Sequence, residues 1–208
     1  MQPISSLVNY SRCLYSKPYI DTVYNYVSIP KTGSSNLRLG FAKTLYKSDV
    51  LNEAGNWFTV IRNPYTRVLR GLLTHNLRIK NKTIDINAEL SRLLHNPKVY
   101  DCHLETQHWF LHNVPKPSIL HLYTLEDNFG PKNAGSLLQQ FLQDIPAKIS
   151  CIRSVLGEYQ ETPIAGPAVD KELLGQVVDE LYESDLYLWE RVHRVGGYLT
   201  MYTKYLHG

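Results

Sequence analysis

The chain has 208 residues, of which 43% are hydrophobic and 20% are charged, and its formal net charge is +3. This length suits a single domain with one sizeable core, and the charge is too small to predict a nucleic-acid partner. No run of about eighteen apolar residues occurs, and the segment after Met1 lacks the apolar centre of a signal peptide, so we expect no membrane insertion.

Apolar periodicity predicts strands that alternate with helices, which favours an α/β fold with a parallel sheet covered by helices on both faces. We expect an N-terminal arm over residues 1–22 and one domain over 23–208. In chain order we predict strand 23–29, helix 34–47, strand 57–62, helix 64–79, a polar connector over 80–85, a short helix near 87–95, helix 101–112, strand 118–125, helix 133–143, an apolar run at 148–152, a loop over 158–167 and a long helix over 169–193.

The first predicted strand ends at a loop suited to binding an anion, with the sequence Pro-Lys-Thr-Gly-Ser-Ser over residues 30–35. The helix that follows offers unpaired N–H groups and a positive dipole end to a phosphate or sulfate. Lys31 adds a full charge, and Gly33 lets the backbone come close. The order is not that of a Walker A motif, in which the lysine follows the glycines. The alternative is an ordinary strand–turn–helix connection whose polar side chains face water.

A second basic segment follows strand 57–62. Asn63 suits a helix N-cap and Pro64 the first helical position. Arg62 therefore lies at the carboxyl end of a strand, the edge at which open α/β sheets bind ligands. We interpret Arg67 as a structural ion-pair residue, and Arg70 as either a phosphate ligand or a solvated surface arginine.

A third segment joins histidine to a predicted helix. Asp101 can cap helix 101–112, on which His103 and Gln107 project from one face because they are four residues apart. The next predicted strand ends in Leu-Glu-Asp at 125–127, and an amphipathic segment over 181–189 closes the chain.

Taken in this order, the segments resemble the sulfotransferase superfamily in its carbohydrate-type branch. The loop at 30–35 resembles the one that holds the 5′-phosphosulfate of 3′-phosphoadenosine 5′-phosphosulfate (PAPS), and Arg62-Asn63-Pro64-x-x-Arg67 resembles the segment that binds the 3′-phosphate. The H-x-x-x-Q pair, the Leu-Glu-Asp strand end and the segment at 181–189 are similar to that branch. Arg70 departs from the family pattern, which commonly has serine there. The resemblance implies a P-loop NTPase-like, three-layer α/β/α fold with a central parallel sheet of about 4–5 strands.

The resemblance also implies an activity: transfer of the sulfuryl group from PAPS to an acceptor hydroxyl, with 3′-phosphoadenosine 5′-phosphate (PAP) as product and no metal. Sugar hydroxyls on a carbohydrate or glycoconjugate are the expected acceptors, but glycolipids, small alcohols and peptide tyrosine stay open. Two alternatives remain: a non-catalytic protein that binds an adenosine nucleotide, and a P-loop-like nucleotide kinase. Without a membrane anchor, we expect a bacterial or viral member of the family; the alternative is the excised lumenal domain of an anchored one.

The candidate site residues are expected to act in catalysis, in acceptor binding or in donor binding. We expect Lys31 and His103 to be catalytic, His103 as general base and Lys31 as stabiliser of the leaving group, with His103 and Gln107 binding the acceptor. Glu53, His75, Glu105 and His108 are rival bases. The residues expected to bind the donor are Lys31, Thr32, Gly33, Ser34, Ser35, Arg62 and Arg70.

The cysteine pattern predicts the compartment. Cys13, Cys102 and Cys151 form no C-x-x-C pair, which argues against a zinc site and against a disulfide framework. Free thiols suit a reducing environment, so we expect a cytoplasmic location.

Overall fold

The computed structural model describes residues 7, 19–20, 25–34, 37, 55–79, 84–112, 114–142 and 168–206. Several predictions lie outside these residues: most of helix 34–47, the greater part of the connector at 80–85, the apolar run at 148–152, the loop at 158–167, and the side chains of Ser35 and Glu53.

The described strands form one sheet in the order β1-β2-β3-β4-β5. Its body is three strands of five or six residues, and two strands of two residues extend it at one side. The strands are β1 (Tyr19–Ile20), β2 (Asn25–Tyr26), β3 (Asn56–Ile61), β4 (Ile119–Thr124) and β5 (Tyr198–Tyr202).

The sheet is parallel at its centre and antiparallel at its margins. Strands β2, β3 and β4 run parallel, with Tyr26 opposite Phe58 and Ile61 opposite Thr124. The outer pairs, β1 with β2 and β4 with β5, are antiparallel. The prediction of a wholly parallel sheet is therefore wrong at both margins, because β5 was not predicted and β1 lies inside the predicted N-terminal arm.

Seven α-helices lie in the described part of the chain, and with the sheet they confirm a mixed α/β fold. They are α1 (Pro64–Ile79), α2 (Ile86–His95), α3 (Gln107–His112), α4 (Leu125–Asn128), α5 (Leu137–Phe141), α6 (Lys171–Leu181) and α7 (Glu183–Arg194). None of them combines the length and the apolar character that a membrane-spanning helix requires.

Helix α1 begins where its local sequence predicts. The side-chain oxygen of Asn63 accepts a hydrogen bond from the backbone N–H of Tyr65 (3.0 Å), and the Asn63 carbonyl accepts one from Arg67 N (3.0 Å). Asn63 thus acts as the N-cap, and Pro64 takes the first position, where no N–H is needed. The predicted bounds 64–79 are confirmed.

Alternate residues of β3 face opposite sides of the sheet, as the two-residue period of a strand requires. Phe58 and Val60 belong to a cluster that Leu138 and Leu142 cover, whereas Trp57 and Ile61 belong to a second cluster. Side chains of α3 and α7 cover the second side. A third cluster joins α1, α2 and α6 beyond the sheet. Helices therefore pack on both faces of the sheet.

Two predicted helices are interrupted. Predicted helix 101–112 divides into a 3₁₀ turn over Cys102–Leu104 and α3, which starts at Gln107. Predicted helix 169–193 divides at Tyr182, whose backbone leaves helical geometry (φ −131°, ψ 19°) and whose hydroxyl donates a hydrogen bond to the carbonyl of Leu104. The two interruptions therefore contact each other, and the carbonyl at the end of the 3₁₀ turn accepts a hydrogen bond from a residue distant in sequence.

Predicted helix 133–143 is also shorter than expected. Residues Pro131–Asn133 form a 3₁₀ turn, and α5 begins only after Ser136, whose hydroxyl caps it. Gly135 has a positive φ of 78°, which a continuous helix cannot contain.

Candidate functional site

The loop after β2, which the sequence predicts to bind an anion, contains two residues with left-handed backbone. Lys31 and Gly33 both have positive φ values, 68° and 78°. The hydroxyl of Thr32, which is fully buried, donates a hydrogen bond to the carbonyl of Ile29 (2.9 Å). Leu37 N then donates to the carbonyl of Gly33 (3.3 Å), so a helical turn starts directly after the loop. Backbone that alternates between right-handed and left-handed residues can form a concavity of N–H groups, and this is the geometry that the predicted anion site requires.

Gly33 is required by space as well as by conformation. A Cβ at this position would lie 2.7 Å from Cε1 of Phe129 and 3.0 Å from Cδ1 of Leu125. Phe129 is itself buried and packs in the sheet's first cluster, so its ring cannot move away at low cost. The loop is therefore packed directly against the turn that follows β4.

We predict that Gly33→Ala destabilises the fold by more than Gly135→Ala does. The two glycines share a φ of 78°, but a Cβ at Gly135 meets nothing within 4 Å. The free energy of unfolding of the control, Gly135→Ala, should therefore fall only by the cost of left-handed backbone, about 1 kcal/mol. That of Gly33→Ala should fall by about 1–3 kcal/mol more because of overpacking. Denaturant unfolding measures both, and equal losses would contradict the packing of the loop against Phe129.

Arg62, the second predicted anion ligand, contacts this loop. It follows the last residue of β3 and is only 3% exposed. Its Nη1 donates to the carbonyl of Lys31 (3.2 Å) and its Nε to the hydroxyl of Thr66 (3.0 Å). The two predicted ligands for opposite ends of a nucleotide, Lys31 and Arg62, are therefore in contact at the carboxyl edge of neighbouring parallel strands.

Gln107 holds the backbone of Arg62 from both sides. Its Oε1 accepts from Arg62 N (2.8 Å), and its Nε2 donates to Arg62 O (2.8 Å). The side chain of Gln107 is 1% exposed. Its amide is thus used within the protein, whereas the sequence predicted that it binds the acceptor.

Asp185 in turn fixes the start of α3. Its Oδ2 accepts from Gln107 N (2.7 Å) and its Oδ1 from His108 N (2.8 Å). Burial raises the pKa of Asp185, and the charge of Arg67 and these N–H donors oppose that rise. A role for Asp185 was not predicted from the sequence; an acidic residue inside a segment that is otherwise apolar on its inner face was the available signal.

Arg67 is buried beneath the loop, 1% exposed, and its Nε donates to the carbonyl of Pro30 (3.1 Å). Burial lowers its pKa, and the negative charge of Asp185 is the largest opposing influence. This supports the prediction of a structural role for Arg67 rather than a ligand role.

His103, the predicted base, lies in the 3₁₀ turn before α3 and not on α3 with Gln107. Its Nδ1 donates to Oδ1 of Asp101 (2.8 Å), and Oδ2 of that carboxylate is 3.7 Å from His75 Nδ1. The carbonyl of His103 packs at Gly71, where a Cβ would lie 2.6 Å away. Gly71 is roughly 10 Å along α1 from its first residue at a rise of 1.5 Å per residue. Gln107, but not the backbone of His103, is therefore placed at the start of α1 beside Arg62.

Ligand-type atoms of Asp101, Cys102 and His103 lie within 4.8 Å of one another. The three residues are consecutive, and Asp101 and His103 are already joined by a hydrogen bond, so the group is not evidence of a metal.

We predict that the charge of Asp101 makes stability fall in acid. Burial alone would raise the pKa of Asp101, but the hydrogen bond from His103 and the nearby His75 outweigh it and hold the pKa far below its ordinary value of 3.8. A depressed folded pKa contributes stability at neutral pH that is lost as the pH falls below about 4. Asp101→Asn keeps an oxygen that can cap His103 N but removes the charge. Its unfolding free energy should be lower at pH 7 and fall less between about pH 5 and pH 3; an unchanged pH slope would contradict the assignment.

The rival bases differ in accessibility. Glu105 is fully buried, and its Oε1 accepts from the backbone N–H groups of Leu7 (3.1 Å) and Thr106 (2.9 Å). His75 is 5% exposed and packs on the Tyr100 ring at 4.8 Å. His108 is half-buried at the start of α3. Arg70 is half-buried on α1, two turns beyond Arg62, and the roles of all these residues stay predictions.

Glu126 is a site neighbour that the sequence analysis passed over. Its Oε1 accepts from Asn63 N (2.9 Å) and its Oε2 from Trp189 Nε1 (3.0 Å). It therefore ties the turn after β4 to the start of α1 and to α7. Its place in Leu-Glu-Asp at a strand end was the available signal.

Comparison with known proteins adds no constraint: no family model, curated protein or solved structure matches this chain.

Proposed function

We propose that this chain is a PAPS-dependent sulfotransferase that sulfates an acceptor hydroxyl, on a carbohydrate or glycoconjugate. The observation that carries the proposal is the contact between the Arg62 guanidinium and the carbonyl of Lys31 at 3.2 Å. One compact donor with phosphates at both ends of a ribose can reach a loop and an arginine that are this close. The proposal includes a P-loop NTPase-like fold, in which the anion loop and Arg62 lie at the ends of adjacent strands.

The loop residues would serve the 5′ end of the donor. Sulfuryl transfer forms a bond from the acceptor oxygen to sulfur and breaks the bond from sulfur to the 5′-phosphate oxygen, on which negative charge grows. Lys31 and the N–H groups after it are suited to stabilise that charge, with hydroxyls of Ser34 and Ser35 as further donors. Thr32, predicted as a donor ligand, can offer only its backbone N–H, because its buried hydroxyl already donates to the carbonyl of Ile29. The spent nucleotide, PAP, leaves with the bridging oxygen.

The proton of the acceptor hydroxyl must go to a base, and we propose His103 for this role. The H-x-x-x-Q resemblance alone supports this choice, because the backbone of His103 packs at Gly71, about two turns of α1 away from Arg62. Asp101 accepts from its Nδ1, so in this tautomer the proton lies on Nδ1 and Nε2 is the basic nitrogen of the ring. Base catalysis of this kind contributes about 10²–10⁴-fold in rate. His108, which is more accessible and follows Gln107, is the first rival among the described residues.

Nucleotide titration tests the proposal against a kinase. Isothermal titration calorimetry with PAP, and separately with ATP and magnesium, should show binding of PAP and a much weaker response to ATP. Preference for ATP with magnesium would contradict the proposal and favour phosphoryl transfer.

Turnover tests it against a non-catalytic nucleotide-binding protein. Labelled PAPS should be converted to PAP with label appearing on one member of a panel of glycans, glycolipids, small alcohols and tyrosine peptides. Binding of PAP with neither transfer to any of these acceptors nor hydrolysis of PAPS would favour the non-catalytic alternative.

A further inference from the structure

We propose that Gln107 and Asp185 are positioning residues for the nucleotide's 3′-phosphate, acting through the backbone of Arg62. The closing helix α7 would then set the selectivity for that phosphate. This inference rests on the function proposed above and adds residues to it that touch no ligand themselves.

The first step is the backbone of Arg62 at the end of β3. A residue just beyond a strand has lost the ladder partners for its N–H and C=O, and a buried backbone group without a partner is costly. The side-chain amide of Gln107 supplies both partners, each at 2.8 Å. It thereby fixes the direction in which the Arg62 side chain leaves the strand.

The second step is the position of Gln107 itself. Helix α3 has six residues, too few to be stable alone, so tertiary contacts decide where it begins. Asp185 accepts from the first two N–H groups of α3, at 2.7 Å and 2.8 Å, across 78 and 77 residues of sequence. The carboxylate on α7 therefore determines where the Gln107 amide lies.

Two arginines connect this network to the anion loop. Arg67, whose charge faces Asp185, donates to the carbonyl of Pro30 (3.1 Å), and Arg62 donates to the next carbonyl, that of Lys31 (3.2 Å). One buried network thus joins α7, α3 and the end of β3 to two consecutive residues of the loop. Loosening it at Gln107 should release the Arg62 side while the loop keeps its contact through Arg67.

The test compares two nucleotides that differ only in the 3′-phosphate. Calorimetry with PAP and with adenosine 5′-monophosphate gives the ratio of the two affinities. Gln107→Met keeps the length of the side chain but loses both hydrogen bonds, and we expect the ratio to fall by about tenfold or more while the monophosphate Kd changes by less than about twofold. Gln139→Met is the matched control. Gln139 lies on α5, and its side-chain amide also accepts a hydrogen bond from a backbone group, Gly135 N at 2.7 Å. The ratio of PAP affinity to monophosphate affinity should stay at the wild-type value in this control.

Asp185→Asn is a second variant of nearly unchanged shape, and its ratio should fall in the same direction. Monophosphate binding in the same samples shows that the loop is folded in each variant. The inference would be overturned if both variants kept the wild-type ratio of PAP affinity to monophosphate affinity, or if both nucleotides lost affinity equally. Gln107 and Asp185 would then have a merely structural role. A wild-type ratio near one would instead overturn the 3′-phosphate assignment of the proposed function, and this inference with it.

Discussion

Replacing Lys31 with alanine should lower the rate of sulfuryl transfer by about 10²–10³-fold and leave the fold intact. The lysine charge is expected to act on the bridging oxygen, where charge develops only as the bond to sulfur breaks, so its loss should appear mainly in kcat. Stability should change by less than about 0.5 kcal/mol, because alanine and lysine meet the same backbone cost at the φ of 68°.

Lys204→Ala is the matched control for this result. Lys204 is an exposed lysine whose ammonium lies over the rings of Tyr202 and Tyr205, beyond β5 and at the other margin of the sheet from the loop. Its variant should transfer sulfate at the wild-type rate. Wild-type turnover by Lys31→Ala would remove Lys31 from the mechanism.

Replacing Arg62 with alanine should mainly weaken nucleotide binding. Loss of a charged hydrogen bond to the 3′-phosphate costs about 1.5–3 kcal/mol, which corresponds to roughly 10–100-fold in the PAP dissociation constant. Arg62→Lys should lie between wild type and Arg62→Ala, because an ammonium keeps the charge but not the planar fork.

The control for Arg62 is Arg194→Ala, which removes an exposed arginine paired with Glu190 on α7. It should leave the affinity for PAP unchanged. Because Arg62 also bonds to Thr66 and Lys31, unfolding must be measured for each variant, and binding compared only between folded samples. An unchanged PAP affinity in folded Arg62→Ala would contradict the assignment of Arg62 to the 3′-phosphate.

Elements with local signals were predictable from the sequence. Helix α1 matches its predicted bounds because its N-cap and first proline are adjacent in sequence. Strands β3 and β4 were predicted within one residue at each end, because short β-branched and aromatic runs of that length are typical of buried strands. The nearness of Lys31 to Arg62 follows from the same signals, because parallel strands that pair bring their carboxyl ends to one edge.

Elements that depend on distant partners were not predictable. The start of α3 depends on Asp185, and the break at Tyr182 coincides with a hydrogen bond to Leu104, so the periodic pattern alone suggested one helix where there are two. Strand β5 contains a single buried residue, Met201, which gives little apolar alternation. The clamp of Gln107 on Arg62 spans 45 residues, and only the fold brings the two together.

A crystal structure of the protein with PAP tests the central claim most directly, namely that Lys31 and Arg62 bind opposite ends of one nucleotide. We expect the 5′-phosphate within hydrogen-bonding distance of the loop N–H groups and Lys31 Nζ, and the 3′-phosphate about 2.7–2.9 Å from the Arg62 guanidinium. A nucleotide bound elsewhere, or one that touches the loop while its 3′-phosphate points away from Arg62, would contradict the account.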